Sequence, residues 1–260
     1  MTARIGTSGY SYEDWVGVLY PSGSRKTDFL ELYAQEFDIV ELNYTYYTMP
    51  NAKLTQGMVK KTPPDFQFSI KAHQTITHQI DNSLIHREID SFLKGIDPIS
   101  SAGKLAVVLL QFPFSFHYTP ENRVSLDKVC CGFGSVPLAI EFRNQEWQRK
   151  SVTDELRRRS IAVVNVDEPQ MDGLMKPDSL VTSSSVGYVR FHGRNKENWW
   201  GGDNVSRYDY LYSDNELTEW TARISTMLVQ TAVVLIVFNN HSKGQAVQNA
   251  RRLKKLMQIT

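Results

Sequence analysis

The sequence predicts one (β/α)8 barrel spanning residues 1–260, and three observations carry that prediction. Short β-rich runs alternate with amphipathic stretches along the whole chain, which implies βαβ units and a parallel sheet. Eight such runs can be placed, and no linker or low-complexity tract divides them. The length of 260 residues lies within the range that a barrel reaches as one domain. An open doubly wound sheet is the alternative architecture.

Taken in order, the expected strands are Arg4–Ser8, Ile39–Asn43, Phe66–Lys71, Leu105–Gln111, Leu138–Arg143, Ile161–Asp167, Tyr188–His192 and Val233–His241. Helical periodicity marks Thr27–Phe37, Leu84–Ile96, Val152–Arg159, Glu216–Gln230 and Gly244–Met257. Within the strands the side chains alternate faces, so residues two apart share a side. Phe66, Phe68 and Ile70 oppose Gln67, Ser69 and Lys71; Leu138, Ile140 and Phe142 oppose Glu141 and Arg143. The same alternation sets Val40 and Leu42 against Glu41 and Asn43, Val164 and Val166 against Asn165 and Asp167, and Val189 and Phe191 against Arg190 and His192.

In a barrel one face of each strand meets the helix ring and the other faces the lumen. Assigning the apolar faces to the helices points the polar faces inward, late in each strand, where barrel active sites form. The expected mouth therefore carries Ser8, Glu41, Asn43, Lys71, Gln111, Glu141, Arg143, Asp167, Arg190, His192, Asn239 and His241. Interlocked ion pairs account for part of this set, because a lone buried charge is costly. They do not account for its gathering at one end of nearly every strand.

The loops after the strands add aromatic and cationic groups. Tyr10, Tyr12 and Trp15 follow the first strand, Tyr44, Tyr46 and Tyr47 the second, Phe112, Phe114 and Phe116 the fourth, Trp147 the fifth, and Trp199 and Trp200 the seventh. Aromatics around a pocket suit a ligand with a stackable ring, although each one singly is as well explained by packing. Residues 192–196 and 241–245 are rich in cationic and amide donors, and barrels bind phosphate where those loops meet a helix N-terminus. Arg190 and Arg194 are expected to clamp an anion there; the plainer reading pairs them with Glu141 or Asp167.

Composition narrows the function classes. A net charge of +1 disfavours gripping nucleic acid by bulk charge. The two cysteines, Cys130 and Cys131, are neighbours and form no disulfide framework; they read as small residues at a helix end in a reducing compartment. The start of the chain has no signal-peptide core, and the most apolar run, Thr231–Phe238, is too short to span a bilayer, so a cytoplasmic protein with no membrane partner is expected. His73, His192 and His241 could join Glu41, Glu141 or Asp167 around a divalent ion, but no zinc-type spacing occurs and no metal or other cofactor is assigned. Nothing in the sequence specifies an oligomeric state.

A set of motifs runs in order along nearly the whole chain: Gly6–Tyr10 with Trp15, Val40–Tyr47, Lys71 with Thr77 and His78, Gln111–Pro113, and Ile140–Asn144 with Trp147. Further along come Val166–Pro169, Tyr188–Asn195, Arg207–Tyr210, and Phe238–His241 with Gly244, Asn249 and Ala250. Together these segments resemble those of the YecE-like family, the domain-of-unknown-function family number 72. Tyr10 stands where a tryptophan is common, and Tyr44 and Tyr46 where the motif often has Ser or Thr and Phe. The resemblance implies a TIM barrel and no particular activity.

The leading functional expectation is an enzyme, of hydrolase, isomerase or lyase type, acting on a small phosphate- or carboxylate-bearing substrate. Glu41 or Glu141 is the expected general acid or base, its pKa tuned toward neutrality, with Asp167 as a further carboxylate and His192 or His241 moving protons. Tyr10, Trp15, Asn43, Lys71, Gln111, Arg143, Arg190, Arg194, Asn239 and Asn240 are the expected substrate-binding set. A nucleic-acid-processing protein, by analogy with barrel endonucleases, is the second expectation. A non-catalytic ligand-binding protein or scaffold is the third, and a scaffold requires fully paired lumen charges beneath a closed mouth.

Overall fold

The computed structural model describes residues 2–259. The strands β1 (Thr2–Ser8), β2 (Ile39–Leu42), β3 (Gln67–Lys71), β4 (Leu105–Gln111), β5 (Leu138–Glu141), β6 (Ala162–Asp167), β7 (Val186–Phe191) and β8 (Val233–Phe238) close into a parallel barrel in sequence order. The chain is a (β/α)8 TIM barrel. Closure is by β1 and β8, paired from Thr2–Val233 to Thr7–Phe238. Gly6 lets β1 approach β2, since a Cβ there would stand 2.1 Å from the Ile39 carbonyl oxygen.

Around the barrel run α1 (Phe29–Tyr33), α2 (Tyr44–Tyr47), α3 (Ala52–Lys60), α4 (Gln74–Thr77), α5 (Ile85–Ser101), α6 (Pro120–Gly132), α7 (Lys150–Arg158), α8 (Asn204–Arg207), α9 (Asp214–Leu228) and α10 (Gln245–Met257). Local chemistry sets their ends. Ser213 and Glu216 form a reciprocal capping box on α9, and Thr119 caps α6 with Pro120 in its first turn. Helix α6 gives little periodic signal, yet Val129 and Cys130 reach the core while Cys131 is exposed. No helix among the described residues is long and apolar enough to cross a membrane.

One link departs from the strand–helix alternation. Residues 168–185 carry the chain from β6 to β7 without a helix. An irregular segment laid on a sheet brings backbone N–H and C=O groups that need partners, and β6 supplies them. The Leu180 amide donates to Asn165 Oδ1 at 2.9 Å, and Asn165 Nδ2 donates to the Leu180 carbonyl at 2.9 Å. In return the segment serves the strand: Thr182 Oγ1 accepts from the Val163 amide at 2.7 Å and donates to the carbonyl of Ile161, just before β6, at 2.6 Å.

That link reverses the expected sidedness of β6. In register, Val164 pairs with Tyr188 and Val166 with Arg190, so the valines face the lumen; Asn165 and Asp167 pair with Val189 and Phe191 and face outward. Asp167, expected at the mouth, is instead buried beneath α9. It accepts from Trp220 Nε1 at 2.6 Å, Tyr212 Oη at 2.7 Å and Arg194 at 2.7 and 2.9 Å. In the other strands the apolar set faces the helices, as the alternation implies.

Candidate functional site at the C-terminal mouth

The floor of the site is a buried ionic network. Arg190, 1% exposed, spans the lumen: Nη2 donates to Glu41 at 2.6 Å and Nη1 to Glu141 at 2.5 Å. Glu41 also accepts from Ser8 Oγ at 2.5 Å and Tyr188 Oη at 2.7 Å, and the Tyr188 hydroxyl lies 2.8 Å from that of Ser69. Asn43 Nδ2 donates to Ser8. The members come from β1, β2, β3, β5 and β7 or the residue just beyond, and the polar-inward alternation of those strands arranges them.

Above the floor, Arg143 joins Glu141 at 2.5 Å to Glu168 at 3.0 Å. Burial works against the charge on Glu141, but Arg143, Arg190 and His192 outweigh it and hold the carboxyl well below the ordinary range. The expectation of a Glu141 tuned toward neutrality is therefore reversed. Glu168 is the carboxyl that moves to neutrality: burial, opposed by Arg143 and aided by Glu141, pushes it up to about 7. Sequence reasoning passed over Glu168 because the reversed face of β6 put Asp167 in its place. The Val166–Pro169 motif contains both residues.

His192 is fully buried, and burial, then Arg143, lowers its pKa to about 3. Its Nδ1 accepts from Asn239 Nδ2 at 3.1 Å and lies 3.4 Å from Arg143 Nη2, so the ring proton sits on Nε2. That nitrogen is 3.3 Å from Glu141 Oε1 yet outside hydrogen-bond geometry. A neutral imidazole held through Nδ1 is placed to position Arg143 rather than to carry protons.

Over this layer lie two adjoining cavities of about 250 and 150 Å³, both bordered by Tyr47, Lys71, Gln111, Arg143 and Tyr208. The larger adds Tyr46, His78, Phe114, Trp199, Trp200 and Arg207; the smaller adds Asn43, Arg190, Asn239 and His241. The ammonium of Lys71 stands 4.3 Å from the centre of the Tyr46 ring, and the guanidinium of Arg143 stands 5.8 Å from that of Trp199. Phe114 and Trp200 meet edge to face at 4.8 Å. Larger grooves, about 610 and 590 Å³, lie between α6 and α7 and at the opposite rim of the barrel. Both are bordered by Arg159, which Asp127 and Glu155 already pair.

Two cations at the mouth differ from all the others there. Among the described residues, no hydrogen bond or ion pair reaches the side chains of Lys71 or Arg207, and Nε of Arg207, like that of the otherwise bridged Arg190, is buried without a partner. Burial, then the neighbouring Arg190, lowers the Lys71 pKa to about 7 against the opposing pull of Glu141 and Glu41. His78, beside Tyr46 at 4.8 Å, is lowered to about 4 by burial and then by Lys71 and Arg143.

The expected residues thus divide. Asn43, Lys71, Gln111, Arg143, Arg190, Asn239 and His241 border the cavities. Glu41, Glu141 and His192 lie beneath, saturated or enclosed. Asp167, Arg194, Asn240, Tyr10 and Trp15 lie elsewhere, which corrects their expected place at the mouth. Arg194 turns outward to Asp167, Glu216 and Glu219. Asn240 turns to Asn249 and the Tyr210 carbonyl. Trp15 is fully buried, its Nε1 donating to the His241 carbonyl at 2.8 Å, and Tyr10 packs toward Tyr33.

The expected phosphate cradle after β7 and β8 is partly occupied from within. Of its two lysines, Lys196 is exposed and Lys243 is engaged: the Lys243 ammonium pairs with Asp209 at 2.8 Å, and the Lys243 amide donates to Asp14 at 2.7 Å. The three histidines considered as metal ligands go to separate places, with His73 capping α4 and His241 stacked on Tyr12 at 4.6 Å. No group of three or more His, Cys, Asp or Glu residues among those described could hold a metal ion. Arg207, Tyr208 and Glu168 are the site residues that sequence reasoning did not select. The first two follow no strand, and only the Arg207–Tyr210 motif marked their segment.

Comparison with known proteins places this geometry in a lineage. The family model described as "Protein of unknown function DUF72" matches residues 4–260. The UPF0759 protein YunF of Bacillus subtilis is 33% identical over 269 residues, covering 98% of this chain and 94% of its own length. The crystal structure of a DUF72 family protein from Thermotoga maritima superposes with a TM-score of 0.91 at 37% identity, covering 99% of this chain and 100% of that one. A DUF72 family protein from Enterococcus faecalis gives 0.89 at 28% identity, covering 100% and 96%.

Proposed function

The chain belongs to the DUF72 family, and from that premise we propose that its barrel mouth is the site of an enzyme acting on a small phosphate- or carboxylate-bearing molecule with a stackable ring. The observation that carries this reading is the pair Lys71 and Arg207, whose side chains no hydrogen bond or ion pair reaches among the described residues, facing one aromatic-walled cavity. A buried guanidinium nitrogen left unsatisfied is costly, and an anion supplies the missing partner. Arg143 adds a third positive group, and the rings of Trp199, Trp200, Phe114 and Tyr46 offer faces and edges to a planar substituent. A scaffold would have no use for uncompensated charge around open volume.

Two groups there exchange protons near neutral pH: Lys71 in the cavity wall and Glu168 behind Arg143. Lys71, as the free amine, is the group that acts on the substrate. Calorimetric titration with inorganic phosphate, and with phenyl phosphate as a ring-bearing anion, tests the reading. Binding of both, tighter for the ring-bearing anion and weakened in Arg207→Ala, supports it. No binding, or binding unchanged by Arg207→Ala and Lys71→Met, overturns it. Retention of single-stranded DNA that falls with salt and requires Arg207 would replace it with a nucleic-acid function.

A further inference from the structure

We propose that Lys71 is a covalent nucleophile, forming an imine with an aldehyde or ketone that also bears an anionic group. The inference rests on the anion-site reading and adds the chemical class of the reacting carbon.

The argument begins with what the other lumen cations do. Arg190 is bridged to Glu41 and Glu141, and Arg143 to Glu141 and Glu168. Lys71 stands among the same strand ends with no carboxylate partner among the described residues. A lysine kept for structure or simple charge balance would be paired. An amine kept for attack on a carbonyl must be unpaired, partly desolvated and beside open volume. Lys71 meets each condition. It borders both cavities, and the Tyr46 ring 4.3 Å away holds its end in place without supplying a carboxylate that would lock it as ammonium.

Its surroundings favour the free amine. Burial and the adjacent Arg190 bring the pKa to about 7, so an unprotonated fraction exists at neutral pH. Arg207 and Arg143 on the walls of the larger cavity can receive the substrate's phosphate or carboxylate and bring its carbonyl within reach of the amine. Two arginines and one lysine divide the labour chemically: a guanidinium is a poor nucleophile and a good anion fork, whereas an amine is the reverse.

The step balances without a further reactant. Once the ammonium has released a proton, the nitrogen lone pair forms a C–N bond and the carbonyl π pair moves to oxygen. The oxygen takes up a proton, giving a carbinolamine. Loss of the second nitrogen proton and protonation of the hydroxyl expel water as the C=N bond closes. In sum, ammonium and carbonyl give a protonated imine and water. Such an imine withdraws electrons from the adjacent carbon, which suits isomerase or lyase chemistry next to the carbonyl and gives no advantage to hydrolysis.

The test uses pyridoxal 5′-phosphate, which carries an aldehyde, a ring and a phosphate. The full chain is incubated with it at neutral pH, reduced with borohydride, digested and mapped by mass spectrometry, beside calorimetry with inorganic phosphate on the same preparation. The expected result is a reduced adduct on Lys71 at least ~10-fold above the average of the other lysines, suppressed by excess phosphate. Labelling of Lys71 should rise with pH through about 7, the value set by its surroundings. Lys71→Arg keeps the charge and should abolish that adduct while phosphate still binds. If phosphate binds but label spreads over exposed lysines and spares Lys71, the imine is excluded and the anion site stands. If neither phosphate binding nor the Lys71 adduct occurs, both fall. A Lys71 adduct that persists undiminished in excess phosphate also overturns the proposal, since the anion subsite would play no part in it.

Discussion

Neighbouring strands β5 and β6 have the same alternation of apolar and polar residues and use it in opposite directions. On β5, Glu141 faces the lumen and Ile140 the helices; on β6, Val166 faces the lumen and Asp167 the outside. The difference lies in what covers each strand. An apolar outer face suits helical cover, whereas β6 is overlaid in part by the irregular segment 168–185, whose backbone groups bond to Asn165. Alternation determines which residues travel together, and the covering layer determines which set goes in.

The largest effect that could break this comparison is Asp167→Ala. Removing a fully buried carboxylate leaves Trp220 Nε1 and Tyr212 Oη without their acceptor and Arg194 with only Glu216 and Glu219. A loss of about 3–5 kcal/mol in urea-unfolding stability is expected, with phosphate affinity of the folded protein unchanged. A stable variant that no longer bound phosphate would return Asp167 to the mouth.

The next effect is one of slope, and it separates the two sides of the mouth by pH. Glu168 is raised from 4.5 to about 7 in the folded protein, so the stability it contributes is present below its unfolded value and is lost as pH climbs to about 7. Lys71 is lowered from 10.5 to about 7, so folding sheds its proton early and stability is regained as pH rises from about 7 toward 10.5. Denaturation midpoints across pH should show Glu168→Gln flattening the acid arm and Lys71→Met the alkaline arm. Parallel curves for wild type and variants would refute both assignments.

Asn165→Leu sharpens the account of β6 more gently. It restores an apolar outer face but deprives the Leu180 N–H and C=O of their partners, for an expected loss of about 1–3 kcal/mol by thermal or urea unfolding. Unchanged stability would mean that the segment does not depend on Asn165. The smallest effect belongs to Arg207→Ala, which should weaken phosphate binding by about tenfold, ~1.4 kcal/mol, while leaving the unfolding midpoint in place.

Much of the barrel was legible because its strands obey one period and its helices another. The strand alternation correctly brought Glu41, Lys71, Glu141, Arg143 and Arg190 into one lumen. It failed at β6 because two inward valines are as compatible with a packed lumen as with a helix ring, and the helixless link has no periodic signature. The partners of the cations were beyond reach for a different reason. Whether Arg194 meets a ligand or Asp167 depends on contacts between residues 27 positions apart on an outer face, whereas Arg207 and Lys71 lie 136 positions apart and share one cavity.

The guanidinium that straps β7 to β2 and β5 has a consequence for selectivity. With Arg190 fixed at both ends and Glu41 held by donors from Ser8, Tyr188 and Arg190, the bottom of the mouth cannot yield to an incoming molecule. Its depth acts as a ruler. On the proposed reading, a molecule that reached the strap would be measured by length against an unyielding stop, while Trp199, Trp200, Arg207 and Tyr208 above would read its shape and breadth.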